Sequence, residues 1–181
     1  KEVIATPGGT GAVAMTIQEC LDPGQTVVLP EIAWGSYNLM AQMNNLEVAK
    51  YSLFDGDRFN MDSFREVCTK TMEKQGKLVV VINDPCHNPT GYSMTREEWE
   101  EVIAFLNGCS KKCPVVLLND IAYIDFAFGQ KEAKKYFSVF DDISDNMAVV
   151  VAFSLSKSMT SYGMRCGAAI LMAKNPEIVN Q

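Results

Sequence analysis

Lys157 stands just beyond the apolar run Ala148 to Phe153 and is flanked by Ser154, Ser156 and Ser158. An amine held in a desolvated pocket loses basicity and can attack a carbonyl to form a Schiff base, whereas most lysines are simply solvated. Arg165 follows eight residues later, in Tyr162-Gly163-Met164-Arg165-Cys166-Gly167, where a guanidinium between glycines can clamp a phosphate bidentately. Asp120 lies at the end of another apolar run, Val115 to Leu118, with Tyr123 three residues on. A carboxylate there either caps a helix or sits buried, which is costly without a cationic partner. Asn88 sits in Asn83-Asp84-Pro85-Cys86-His87-Asn88-Pro89-Thr90-Gly91, a loop whose prolines and glycine restrict the backbone. His87, the single histidine, reads as structural beside those prolines. Gly8-Gly9-Thr10-Gly11-Ala12 opens a helix, so its N–H groups and the Thr10 hydroxyl can cradle a phosphate, or form a plain turn. Trp34 follows the run Thr26 to Leu29 and either stacks on a planar ring or packs in the core.

These residues need elements to carry them. Short β-branched runs alternate with amphipathic segments along the chain. Strands are expected at Val3 to Ala5, Thr26 to Leu29, Val48 to Leu53, Leu78 to Ile82, Val115 to Leu118, Ala148 to Phe153 and Ala168 to Met172. Helices are expected at Ala12 to Leu21, Ser36 to Asn44, Asp62 to about Lys74 with Asp62 as cap, and Thr95 to about Leu106. Thr95 with Glu98 makes a capping-box signature. Alternation of this kind implies an α/β fold, a mostly parallel sheet with helices on both faces. In such sheets ligands bind beyond the carboxyl ends of the strands, and the residues above all stand there.

Composition narrows the function. The chain has 181 residues, 48% hydrophobic and 21% charged, with a formal net charge of -6. That is one domain of ordinary globular make-up, and its acidity disfavours nucleic acid. No run approaches the length of a membrane helix. The six cysteines, at 20, 68, 86, 109, 113 and 166, form no CxxC pair, and with a single His no metal site is expected. Scattered thiols fit a reducing, cytoplasmic setting. The start Lys1-Glu2-Val3 reads as the middle of a longer protein.

Taken together, the strand-end residues describe one ligand. It has a phosphate for Gly9, Thr10, Gly11, a serine and Arg165, and a flat ring for Trp34. It has a ring nitrogen for Asp120, a phenolic oxygen for Asn88 and Tyr123, and an aldehyde for Lys157. Those are the parts of pyridoxal 5′-phosphate. The competing reading rests on Gly9-Thr10-Gly11-Ala12-Val13-Ala14, which fits the G-x-G-x-x-A dinucleotide fingerprint. Glu31, 20 residues past Gly11, would bind the ribose of a nicotinamide cofactor. That reading leaves Asp120, Lys157 and Arg165 without a role.

Five co-linear stretches carry a family resemblance: Gly8-Gly9-Thr10-Gly11-Ala12, Trp34-Gly35-Ser36-Tyr37, His87-Asn88-Pro89-Thr90-Gly91, Asp120-Ile121-Ala122-Tyr123 and Ser154-Leu155-Ser156-Lys157 through Arg165. The chain resembles the large domain of the fold-type I pyridoxal-phosphate aminotransferases, of the aspartate and aromatic kind, over nearly its whole length. The resemblance implies a three-layer α/β/α domain, with the N-terminal arm and the small domain absent. It implies Lys157 as Schiff-base residue and proton carrier, Asp120 at the pyridine nitrogen, and Tyr123 and Asn88 at the phenolic oxygen. Trp34 would stack on the ring, and Gly9, Thr10, Ser154, Ser156 and Arg165 would hold the phosphate. Family members often carry Ser at the first cradle position, where this chain has Gly8. An amino group would pass from a dicarboxylic or aromatic amino acid to a 2-oxo acid, in a homodimer when full-length. The arginine for the substrate carboxylate lies outside these residues, so the chain alone is expected to be inactive. Another fold-type I enzyme, a carbon–sulfur lyase or a decarboxylase, is the alternative within the fold.

Overall fold

Strands that are apolar on every side chain can be satisfied only between two covering layers. In the computed structural model, which describes residues 1–129 and 135–179, this is how the apolar runs are used. The strands are β1 (Glu2–Pro7), β2 (Thr26–Pro30), β3 (Glu47–Tyr51), β4 (Phe54–Asp55), β5 (Arg58–Phe59), β6 (Leu78–Asn83), β7 (Val115–Asp120), β8 (Met147–Ser154) and β9 (Cys166–Ala173). The helices are α1 (Gly8–Cys20), α2 (Ser36–Met43), α3 (Met61–Gln75), α4 (Arg96–Ser110), α5 (Leu155–Ser158) and α6 (Pro176–Val179). Short 3-10 turns occupy Ile124–Phe126, Lys135–Asp142 and Tyr162–Met164.

Seven strands form one sheet in the order β1-β9-β8-β7-β6-β2-β3, while β4 and β5 make a separate hairpin. The β2–β3, β2–β6, β6–β7 and β7–β8 pairs are parallel. β9 runs antiparallel to both of its neighbours, β8 and β1, so it alone opposes the common direction. Successive side chains alternate between the two faces. Val79, Val81, Leu118, Val150 and Ala152 join α1 and α2 in one core, and Leu78, Val80, Ile82, Leu117, Val149 and Val151 join α3 and α4 in the other. This is the expected α/β/α arrangement with a mostly parallel central sheet.

Several elements differ from the sequence expectation. Helix α1 begins at Gly8 rather than Ala12, which brings the glycine run into its first turn. The cap of α3 is Asn60, whose side chain accepts from Ser63 N at 3.0 Å; Asp62 lies inside the first turn. Strand β3 ends at Tyr51, and the turn at Asp55-Gly56-Asp57 closes the β4–β5 hairpin. The capping box of α4 forms as expected: Thr95 Oγ1 accepts from Glu98 N at 3.2 Å, and Glu98 Oε2 accepts from Thr95 N at 2.8 Å.

The topology overturns the dinucleotide reading. A nucleotide-binding βαβ unit places its first two strands side by side and parallel. Here four strands separate β1 from β2, and β1 pairs only with the antiparallel β9. Glu31 is engaged elsewhere, its Oε1 accepting from Ser52 Oγ at 2.6 Å and from Leu53 N at 3.3 Å.

The loop after β6 is tied down by a buried acid. Asp84 is 2% exposed, and its oxygens accept from Met94 N at 2.7 Å and Trp99 Nε1 at 2.8 Å. Burial pushes its carboxyl up to about 7, against the pull of those two donors. Because the folded state holds this proton more tightly than the unfolded chain, the group's contribution to stability declines as pH rises from about 4 through about 7. An Asp84→Asn variant lacks that decline. The stability difference between variant and parent is expected to move in the variant's favour by up to about 4 kcal/mol between acid and mildly alkaline pH, read by urea unfolding across the range.

Candidate active site

The start of α1 is open to an anion. Pro7 at its N-cap makes no side-chain cap, and no acidic residue lies in the first turn. Free N–H groups and the positive end of the helix dipole therefore face outward. Arg165 lies against this turn. A Cβ on Gly8, whose φ is +75°, would stand 2.8 Å from Arg165 Nη2, and one on Gly9 would stand 3.0 Å from Ser154 Cβ. A side chain at Gly8 would be strained by its positive φ and would have to displace the Arg165 guanidinium. Arg165 Nη1 donates to Ser156 Oγ at 3.3 Å and to the Tyr162 carbonyl at 3.0 Å. Gly11 stands apart, because a Cβ there would strike the Pro7 ring at 2.5 Å; it packs against that ring and does not line the cavity that Gly9 and Thr10 line.

Lys157 reaches the same space from the end of β8. Ser154 caps α5 by accepting from Ser156 N at 3.2 Å, and the four-residue helix turns Lys157 toward the sheet edge. Its Nζ stands 5.6 Å from the Tyr123 ring centroid and 5.4 Å from that of Tyr162. Aromatic faces at this range attract a cation.

Asp120 closes the central strand β7 and is 5% exposed. Its Oδ2 accepts from the Tyr37 hydroxyl at 2.6 Å, and its Oδ1 accepts from Ala122 N at 3.0 Å. Burial raises the carboxyl above its usual range, and these two donors pull it back. No salt bridge among the described residues includes Asp120. Beside it, Asn83 donates from Nδ2 to the Asp120 carbonyl at 2.8 Å and accepts from Asn88 N at 2.7 Å, fixing the loop that presents Asn88. Trp34, half-buried after β2, meets Tyr37 edge-on with centroids 5.4 Å apart.

These groups surround one cavity of about 160 Å³. Of the residues singled out in the sequence, Gly9, Thr10, Trp34, Asn88 and Asp120 line it, as do Tyr123, Ser154, Ser156, Lys157 and Arg165. His87 stays outside this cavity, buried with Nδ1 against Thr90 Oγ1 at 2.9 Å. The sequence reading missed Asn83, Tyr162 and the role of Tyr37, all of which reach the cavity. Two left a signal: Asn83 is the polar end of an otherwise apolar strand, and Tyr37 lies three residues after Trp34.

The family model for aminotransferase class I and II matches residues 1–181. The aspartate aminotransferase of Salmonella typhi is 32% identical over 97% of this chain and 43% of its own length. The aromatic-amino-acid aminotransferase of Pseudomonas aeruginosa is 30% identical over 95% of the chain and 42% of its own length. Among solved structures, an aminotransferase from Anaerococcus prevotii superposes with a TM-score of 0.95 at 37% identity, over 98% of this chain and 44% of that one. The chain therefore spans less than half the length of the curated relatives it matches.

The Gly8 contact has a measurable consequence. Gly8→Ala puts a side chain at φ +75° and against Arg165, and is expected to cost about 1–2 kcal/mol of stability. Gly108→Ala, within α4 where a Cβ would meet nothing within 4 Å, is expected to add about 0.5 kcal/mol. Urea unfolding of both variants checks the contrast.

Proposed function

Because the chain belongs to the aminotransferases of class I and II, we propose that it holds pyridoxal 5′-phosphate in this cavity. In a protein of its relatives' length it would move an amino group from a dicarboxylic or aromatic amino acid to a 2-oxo acid. The observation that carries the reading is a single cavity bounded by an amine, a buried carboxylate and an uncapped helix start with an arginine beside it. The donor set fits the cofactor group by group. An anionic phosphate suits the first turn of α1, the Thr10, Ser154 and Ser156 hydroxyls and Arg165. A cationic ring nitrogen suits Asp120, a buried carboxylate whose partners among the described residues are neutral donors. Asn88 and Tyr123 can donate to a phenolic oxygen, and the Trp34 indole offers a flat face.

When bound, the cofactor supplies an aldehyde and an electron-drawing ring that stabilises negative charge at a substrate's α-carbon. The chain's own residues do the rest. Lys157 Nζ would hold the cofactor through its aldehyde and, as a free amine, would carry the proton taken from the substrate's α-carbon. Asp120 keeps the ring nitrogen protonated by facing it with a fixed negative charge. The first turn of α1, Arg165 and Trp34 would hold the ring in a fixed orientation.

We place the substrate-carboxylate arginine outside these 181 residues. We read residues 1–181 as the cofactor-holding part of a large domain. The longer protein would be a homodimer, and the exposed Met159, Tyr162 and Met164 beside the cavity suit burial by a second subunit. Six cysteines that all remain thiols suit a reducing cytoplasm.

The test is reduction of the protein with borohydride after adding pyridoxal 5′-phosphate, followed by peptide mapping. A stable label on Lys157, lost in Lys157→Ala, is the expected result. A label on another lysine, or none, overturns the assignment.

A further inference from the structure

The Tyr37 hydroxyl and the Asp120 carboxylate meet at 2.6 Å although 83 residues separate them in the chain. Tyr37 is fully buried, on the first turn of α2, and its ring is braced by Trp34. Among the described residues its hydroxyl bonds to Asp120 alone, and the Asp120 side chain has one other donor, Ala122 N. A phenol is a neutral donor. Burial and the neighbouring carboxylate push the Tyr37 hydroxyl well above 10, so it keeps its proton at any pH at which the protein works.

Resting on the cofactor reading above, we propose that Tyr37 is a positioning residue that holds Asp120 as an oriented anion for the cofactor's ring nitrogen. A hydrogen bond to a charged acceptor is stronger than one to a neutral acid, so the hydroxyl favours the ionised carboxylate. It also occupies one lone-pair direction of Oδ2, as Ala122 N does for Oδ1, which leaves the remaining directions to the cavity. The arrangement supplies negative charge without a permanent protein cation, which would compete with the ligand for the same carboxylate. The other titratable groups facing the pair are Tyr123, next along from β7, and Tyr51, at the end of β3. Lys157 and Arg165 lie across the same cavity.

The test uses Tyr37→Phe, which removes one oxygen and keeps the ring. Without the hydroxyl, Asp120 in the folded state holds its proton to higher pH. An acid raised on folding loses stability as pH rises, so the variant should lose more than the parent. In the cofactor-free protein the gap in Tm between parent and variant is expected to widen by about 3–6 °C from about pH 5 to about pH 8. A lost packing contact would instead give a gap independent of pH. With cofactor, Tyr37→Phe is expected to weaken pyridoxal phosphate binding about tenfold, and by less than about threefold in an Asp120→Asn background, since the two act as one unit. A constant Tm gap, or equal losses of affinity in both backgrounds, overturns the proposal. A widening gap in a protein that borohydride leaves unlabelled at Lys157 overturns the cofactor reading while the coupling of Tyr37 to Asp120 stands.

Discussion

Asp120 puts a carboxylate at the end of an apolar strand with almost no access to water. Such a group is tolerated only where donors or a cation replace its hydration. Much of the surrounding structure serves that need. Tyr37 comes from α2 on one face of the sheet, and Ala122 from the turn that follows β7. The parallel register sets Asn83 of β6 level with Asp120, and Asp120 level with Ala152 of β8. Lys157 then follows five residues beyond that level, past the Ser154 cap. Parallel strands align their carboxyl ends, which is how residues far apart in the chain come to share one cavity.

A second set of buried acids holds the loop that carries Asn88. Asp84 fixes Met94 N and Trp99, while Glu98, 5% exposed, accepts from Phe59 N, the Tyr92 hydroxyl and Thr95 N. Asn119 ties the Asp84 carbonyl to β7, and Tyr136 donates to Asn119 Oδ1 at 2.7 Å. The loop is thus anchored to α4 on one face of the sheet, while the glycine-rich turn belongs to α1 on the other. The cavity lies at the sheet edge between them.

Most strands were legible because both their faces are buried, so unbroken apolar runs mark them out. Direction was not legible: the run Ala168 to Met172 reads the same whether it lies parallel or antiparallel, and only its pairing with β8 and β1 decides. The cap of α3 was misplaced by two residues because Asn60 and Asp62 are both good cap residues, and only the Asn60 contact with Ser63 N distinguishes them. Helix α5 and the turn Lys135–Asp142 are too short or too tightly wound for helical periodicity to reveal. In the site, residue types at strand ends pointed to the cavity walls. The Tyr37–Asp120 bond was beyond reach, since nothing in local spacing tells that α2 leans over β7.

The last constraint is the closeness of three backbone segments. A Cβ on Gly167 would stand 2.5 Å from both the Gly8 carbonyl carbon and the Phe153 carbonyl oxygen, so β9 enters the sheet pressed between the end of β8 and the start of α1. That approach brings Arg165, just before β9, over the uncapped helix start. Charge is consequently ordered along the sheet edge: Arg165 at β9, Lys157 after β8, Asp120 on β7 and the neutral amides Asn83 and Asn88 at β6. A ligand with an anionic group at one end and a cationic nitrogen at the other has one favourable orientation in such a field. A ligand anionic throughout would set one of its charges against Asp120. The order of charges, more than any one contact, selects the kind of molecule the cavity can hold.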